Sequence, residues 1–219
     1  MQTLAANVIP PTVPLVLVFV LAASCAVYWM LIRRWTEQRQ WLALSDWAAE
    51  NGFKLHGERS AVAPEILRTL TTPPPRVLVS LHDPDTAAVQ VETLTSPNPQ
   101  KAGESARWNL LVRKLQSPWP TTLLRPPNIP SSVGDFYPSH TFAVMTQNER
   151  FTLYSISSAA AKALNRSSAR ALLPPDISLV LTAENLILDF STRPFDSLEI
   201  QRMDSLAEQL VAHLPAIGR

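Results

Sequence analysis

The sequence predicts an α+β protein: one N-terminal transmembrane helix followed by an antiparallel-rich sheet packed with helices. Three features point to it. Met1 to Ile32 contains no Asp, Glu, Lys, Arg or His. Short strand-like runs recur between polar, Pro-rich connectors from Phe53 to Ser191. The chain then closes on an amphipathic helical pattern from Phe195 to Leu214. The expected organisation is a short extracytoplasmic tail (1–14), a transmembrane helix (15–32), a juxtamembrane helix (33–52) and a soluble α+β domain (53–219).

Leu15 to Ile32 is eighteen residues without charge or proline. As a helix this covers about 27 Å, close to the hydrocarbon thickness of a bilayer. Pro14 suits the first helical turn, where a missing N–H costs nothing. A buried core helix seldom stays apolar on every face for so long. A cleavable signal peptide needs a positive n-region, and none is present. The run Leu21-Ala-Ala-Ser-Cys25 resembles a lipoprotein cleavage box, but the chain stays apolar beyond it, from Ala26 to Ile32. A retained signal-anchor therefore fits better. Arg33, Arg34 and Arg39 follow the span and no Lys or Arg precedes it, so the positive-inside rule places the N-terminus outside and the domain in the cytoplasm, at a cell membrane. Trp29 and Trp35 straddle Ile32, and with Arg33 and Arg34 they form the expected membrane interface. Ala22 and Ala26 make a small-xxx-small pair through which two anchors could form a homodimer, although lone pairs of this kind are common.

Tryptophans recur every six residues at 29, 35, 41 and 47. Trp41 and Trp47 would stand about 13 and 22 Å past Ile32 on a continuing helix. Trp41, Leu44 and Trp47, with Ala48, recur at helical spacing and predict an apolar stripe in need of a partner. The soluble domain, the membrane surface and a second protein all qualify. Asn51-Gly52 supplies the stop. Strands are predicted near Phe53–Glu58, Arg76–Leu81, Ala87–Leu94, Arg107–Leu115, Thr121–Arg125 and Thr141–Thr146, with a short helix at Ala63–Leu70 and another at Ser155–Ser167. Val89, Val91 and Thr93 alternate with Gln90 and Glu92, which gives one buried face. Ile177 to Ser191 reads as a hairpin turning at Ala183-Glu184-Asn185. Its strands are apolar on both faces and should be central. Asp196 and Glu199 form a capping-box arrangement for the last helix, whose inner face is Met203, Leu206, Ala207, Leu210 and Leu214, and Pro215 ends it.

The 219 residues carry a net charge of +1 with 17 % charged residues, which does not indicate nucleic-acid binding. Five glycines leave little material for phosphate-cradling loops, and twenty prolines imply stiff connectors. The single cysteine, Cys25, lies in the apolar run, so neither an intrachain disulfide nor a cysteine metal site can form in the domain. No phosphate loop, dinucleotide fingerprint or nucleophile elbow is present, and the four histidines are scattered. No cofactor, metal or catalytic residue is therefore assigned. The acidic candidates all have simpler structural readings. His82, Asp83 and Asp85 fall in a turn between strands. Asp135 and His140 fall in a loop entering a strand. Asp189, Arg193 and Asp196 fall between a strand end and a helix cap.

An N-terminal anchor, a basic exit, a helix ending in Glu50-Asn-Gly-Phe53, the run Ser139 to Glu149, the run Leu179 to Ser191 and a C-terminal helix together resemble the layout of membrane-anchored bacterial domains of unknown function. The resemblance spans most of the chain as layout, without a specific motif. It implies no activity and no site residues. The expected function is a single-pass membrane protein whose cytoplasmic domain binds or scaffolds an unidentified protein at the bilayer. The alternative is an enzyme of dispersed site acting on a membrane-associated substrate. A deep pocket lined by two or more of His82, Asp83, Asp135 and His140 would favour the enzyme.

Overall fold

The structure, a computed structural model, describes residues 12–70, 75–93, 106–129, 132–137 and 142–215. His140, residues 71–74 and residues 94–105 lie outside these residues. The chain divides into two compact units, 1–44 and 45–219.

Helix α1 spans Thr12–Glu50. Neither proline nor glycine occurs between Leu15 and Asn51, so nothing interrupts its hydrogen-bond ladder. It ends where the sequence predicts. Gly52 takes a φ of 78°, a left-handed conformation that a side chain disfavours. Phe53 N–H then reaches back to the Ala48 carbonyl at 2.8 Å, the six-to-one bond of a Schellman cap.

The second unit is an α+β fold built on one nine-stranded antiparallel sheet. Its strands are β1 (Lys54–Gly57), β2 (Arg76–His82), β3 (Thr86–Thr93), β4 (Ala106–Lys114), β5 (Thr122–Arg125), β6 (Val144–Gln147), β7 (Thr152–Ser155), β8 (Ser178–Leu181) and β9 (Asn185–Asp189). Their order in space is β1-β2-β3-β4-β9-β8-β5-β7-β6. The apolar hairpin β8–β9 sits in the middle, as its two-sided hydrophobicity requires. Its turn is closed by Thr182 N–H donating to the Asn185 carbonyl at 2.8 Å.

Cross-strand partners share a face. Val89 opposite Leu110, Val91 opposite Trp108 and Val180 opposite Ile187 build one face. Ala61, Ala63, Ile66 and Leu67, at and before α2 (Glu65–Leu70), cover part of it. A 3-10 turn at Val133–Phe136 covers another part, with Phe136 edge-on to Trp108 at 5.7 Å. The opposite face carries Ala88, Leu111, Leu179, Leu186 and Leu188, all buried. Helix α5 (Ser197–His213) packs there on β4 and β9 through Ile200, Met203, Ala207 and Leu210. The short helices α3 (Ser158–Arg166) and α4 (Ala169–Leu172) stand beside it.

Several features differ from the sequence expectation. Neither α4 nor the 3-10 turn is expected from it. The Glu199 carboxylate, expected to complete a capping box, pairs with Arg193 and Arg202 instead. Thr152–Ser155 is a strand, β7, absent from the expected elements: its residues are buried or half-buried on both faces, so no alternation of polar and apolar positions marks it. The helix expected from Ser155 begins at Ser158, because the Ser157 hydroxyl caps it by accepting from Ala160 N–H.

Candidate functional site

The candidate membrane span lies in the first unit. From Val18 to Ile32 every side chain is exposed. This is the one helix, among the described residues, long and apolar enough to cross a membrane. Its only hydroxyl there besides Tyr28, that of Ser24, donates to the Val20 carbonyl at 2.8 Å, which satisfies a polar group without water. At its C-terminal side the aromatic and basic residues interlock one turn apart. The Arg33 guanidinium lies 5.5 Å from the Trp29 ring and Arg39 lies 4.1 Å from Trp35. Arg33 also pairs with Glu37 at 2.9 Å, an exposed contact of small worth. Arg34 shares a shallow helix surface with Gln38, Trp41 and Leu42.

The stripe residues fall in different environments. Trp41 is 40 % exposed and Leu44 is buried, both in the first unit. Trp47 and Ala48 belong to the second. Trp47 is half-buried and stacks on Phe53 with ring centroids 5.3 Å apart. This is the hydrophobic contact that accompanies a Schellman cap.

The domain contains a groove of about 480 Å³ between the β2–β3 turn, the start of α2, the end of β4 and the β8–β9 turn. Ile66, Ala87, Val112 and Leu115 give it an apolar floor, and Glu65, Asp85, Lys114 and Glu184 stand at its rim. His82 and Asp83 line it as well, so the structure brings together two of the four residues singled out in the sequence. Both are engaged structurally. Asp83 Oδ1 accepts the N–H groups of Asp85 at 2.7 Å and Thr86 at 2.5 Å, an Asx turn that shapes the hairpin. His82 Nε2 donates to the Val62 carbonyl at 3.1 Å, and burial holds its pKa below the usual imidazole range. Among the described residues no cluster of His, Cys, Asp and Glu could hold a metal ion.

Asp135 lies away from this groove. It pairs with Arg125, accepts the Ser132 N–H at 2.9 Å and so closes the capping box of the 3-10 turn. Asp189, Arg193 and Asp196 also serve the fold. Asp196 caps α5 by accepting from Glu199 N–H at 2.9 Å. Arg193 bridges Asp176 at 2.7 Å and Glu199 at 3.1 Å, and its hydrogen bonds hold the Asp176 carboxyl below its ordinary pKa. Asp189 is fully buried, and burial raises its pKa against the bonds from Ser191 and Val133.

A polar chain that sequence spacing does not reveal crosses the sheet. Gln90 donates to Asn109, and Asn109 donates to the Arg193 carbonyl at 2.8 Å. Asn109 N–H donates to Ser191 Oγ, and Ser191 donates to Asp189. Asp189 finally accepts Val133 N–H at 2.7 Å. The only sequence signal is a polar residue at an inward strand position, as Asp189 is in Leu-Ile-Leu-Asp-Phe.

No protein-family model matches the chain. No curated protein matches it either. Among solved structures it is similar to the crystal structure of the mycobacterial trehalose monomycolate transport factor A, TtfA, at 13 % identity and a TM-score of 0.48, over 81 % of this chain and 97 % of that one. A likeness this distant assigns no family, activity or partner.

Proposed function

We propose that this is a single-pass membrane protein whose α+β domain, on the cytoplasmic side, binds or scaffolds another protein at the bilayer. The observation that carries the reading is the wholly exposed apolar helix segment Val18–Ile32, ending in interlocked tryptophans and arginines. Such a surface is stable in lipid and unstable in water. The orientation rests on Arg33, Arg34 and Arg39 following the span. Exposed Trp41 and Leu42, beyond the basic edge, add apolar surface of the kind that partners cover. In the domain the side chains with the best chemical credentials are engaged in turns, caps and ion pairs, which supports binding over catalysis. The enzyme reading keeps one observation in its favour, the meeting of His82 and Asp83 in one groove.

The test is in-cell cross-linking of the full chain, followed by solubilisation and identification of the chains bound to it. A reproducible partner that is lost when the domain is unfolded by a core substitution supports the reading. A C-terminal phosphatase fusion that works only outside the cytoplasm should be inactive, and activity would reverse the orientation.

A further inference from the structure

The groove between the β2–β3 turn and the β8–β9 turn has a charge balance unlike the chain as a whole. Glu65, Asp83, Asp85 and Glu184 face Lys114 as the one lysine or arginine among its lining residues. The Lys114 ammonium is already held by the Pro84 carbonyl at 3.0 Å. Glu65, Asp85 and Glu184 have no ion-pair partner among the described residues. Beneath these carboxylates lie the half-buried Ile66 and Leu115 and the buried Ala87 and Val112. An apolar floor under an acidic rim matches a particular side-chain shape. Lys and Arg lay an aliphatic stem on apolar surface and present a cation at its end. An open groove of about 480 Å³ has room for more than one such side chain.

We propose that this groove docks an extended segment of a partner protein carrying Lys or Arg alternating with apolar residues. The proposal rests on the binding-module reading above and names its partner class. The stems and apolar side chains cover Ile66 and Leu115, and the cations meet Glu65, Asp85 and Glu184.

The experiment uses the full chain in nanodiscs of phosphatidylcholine, a lipid without net charge, so that the probe is not drawn to the bilayer. The probe is a fluorescent octapeptide of alternating Arg and Leu, with the Glu–Leu octapeptide as its counterpart. Binding of the Arg–Leu peptide alone, weakening as salt is raised, is the expected result. The double variant Glu65→Lys/Glu184→Lys should bind at least about tenfold more weakly. Asp85→Lys serves as a second variant should the first fail to fold, and Glu208→Lys, on α5 outside the groove, should bind as the unaltered chain does. Equal binding by the groove variants, or no binding of the Arg–Leu peptide, overturns the proposal. If cellular partners remain cross-linked to the charge-reversed chain while the peptide binds nowhere, the groove is wrong and the scaffold reading stands. If the peptide binds as described and no cellular chain cross-links, the groove stands and the scaffold reading fails.

Discussion

The candidate membrane span Val18–Ile32 and the hairpin β8–β9 are both dominated by large apolar residues, yet their side chains differ in exposure. Leu21 is 58 % exposed and Leu31 61 %, whereas Leu181, Leu186 and Leu188 are fully buried. The difference lies in how each segment satisfies its backbone. A helix closes its own hydrogen bonds and can leave every side chain facing an apolar solvent. A strand must pair with neighbours, and pairing brings other strands and then helices onto its two faces. Apolarity therefore marks both segments for removal from water, but only a segment that closes its own hydrogen bonds can be covered by lipid alone.

The largest expected effect tests that contrast directly. Leu188→Ala opens a cavity between the sheet and its helices and should destabilise the domain by about 2–5 kcal/mol. Leu21→Ala, the same chemical change in the anchor, should leave the domain's unfolding midpoint where it was. Urea titration of the detergent-solubilised chain, followed by near-ultraviolet circular dichroism, compares the two, and equal losses would erase the distinction.

Next comes the converse probe. Val27→Arg places a charge in the middle of the exposed apolar segment and should cost about 2.5–3.5 kcal/mol of insertion. Retention after alkaline carbonate washing should fall, while the domain's fold is unchanged. Full retention would mean that lipid does not cover this segment.

Trp47 marks the crossover between the two regimes, half-buried near the end of a helix whose side chains are exposed from Val18 to Ala43. Trp47→Ala removes the ring stacked on Phe53 and should cost about 1–2 kcal/mol, a melting shift of several degrees for a domain of this size. Glu50→Ala, exposed on the same turn, should barely move it. A null result for Trp47 would make the cap contact incidental.

The smallest effect concerns Tyr137, whose hydroxyl is buried without a hydrogen-bond partner among the described residues. Burial raises its pKa from the ordinary 10 to about 12. Because the unfolded chain loses this proton first, stability falls as pH rises from about 10 towards 12. Tyr137→Phe should remove that part of the alkaline loss and, by deleting an orphaned polar group, raise stability at neutral pH by about 1 kcal/mol. A steeper alkaline loss in the variant would show that the hydroxyl is partnered after all.

Local signals were legible wherever they repeat over a turn or more. The long apolar helix, the Asn51-Gly52 stop, the central hairpin and the Asp196 cap could all be read from neighbouring residues. Strand β7 could not, because Thr152, Leu153, Tyr154 and Ser155 mix polar and apolar character without alternation. Of the candidate residues, the structural role of Asp83 followed from turn chemistry within three positions of the chain. The meeting of His82 and Asp83 with Glu184 did not, since about a hundred residues separate them.

By itself the sequence determined that the chain begins with an uncharged span of bilayer length, that basic residues edge it, and that a strand-rich domain closed by an amphipathic helix follows. Those conclusions need only composition and short periodicities, which act through local backbone geometry and transfer free energy. Tertiary structure alone decided the strand order, the polar chain from Gln90 to Asp189 and the groove under Glu65, Asp85 and Glu184. Val133 and Asp189 are 56 positions apart in the chain and 2.7 Å apart in the fold. Pairings of that span are selected by how nine strands cover one another's apolar faces, and no local pattern encodes which turns are thereby brought side by side.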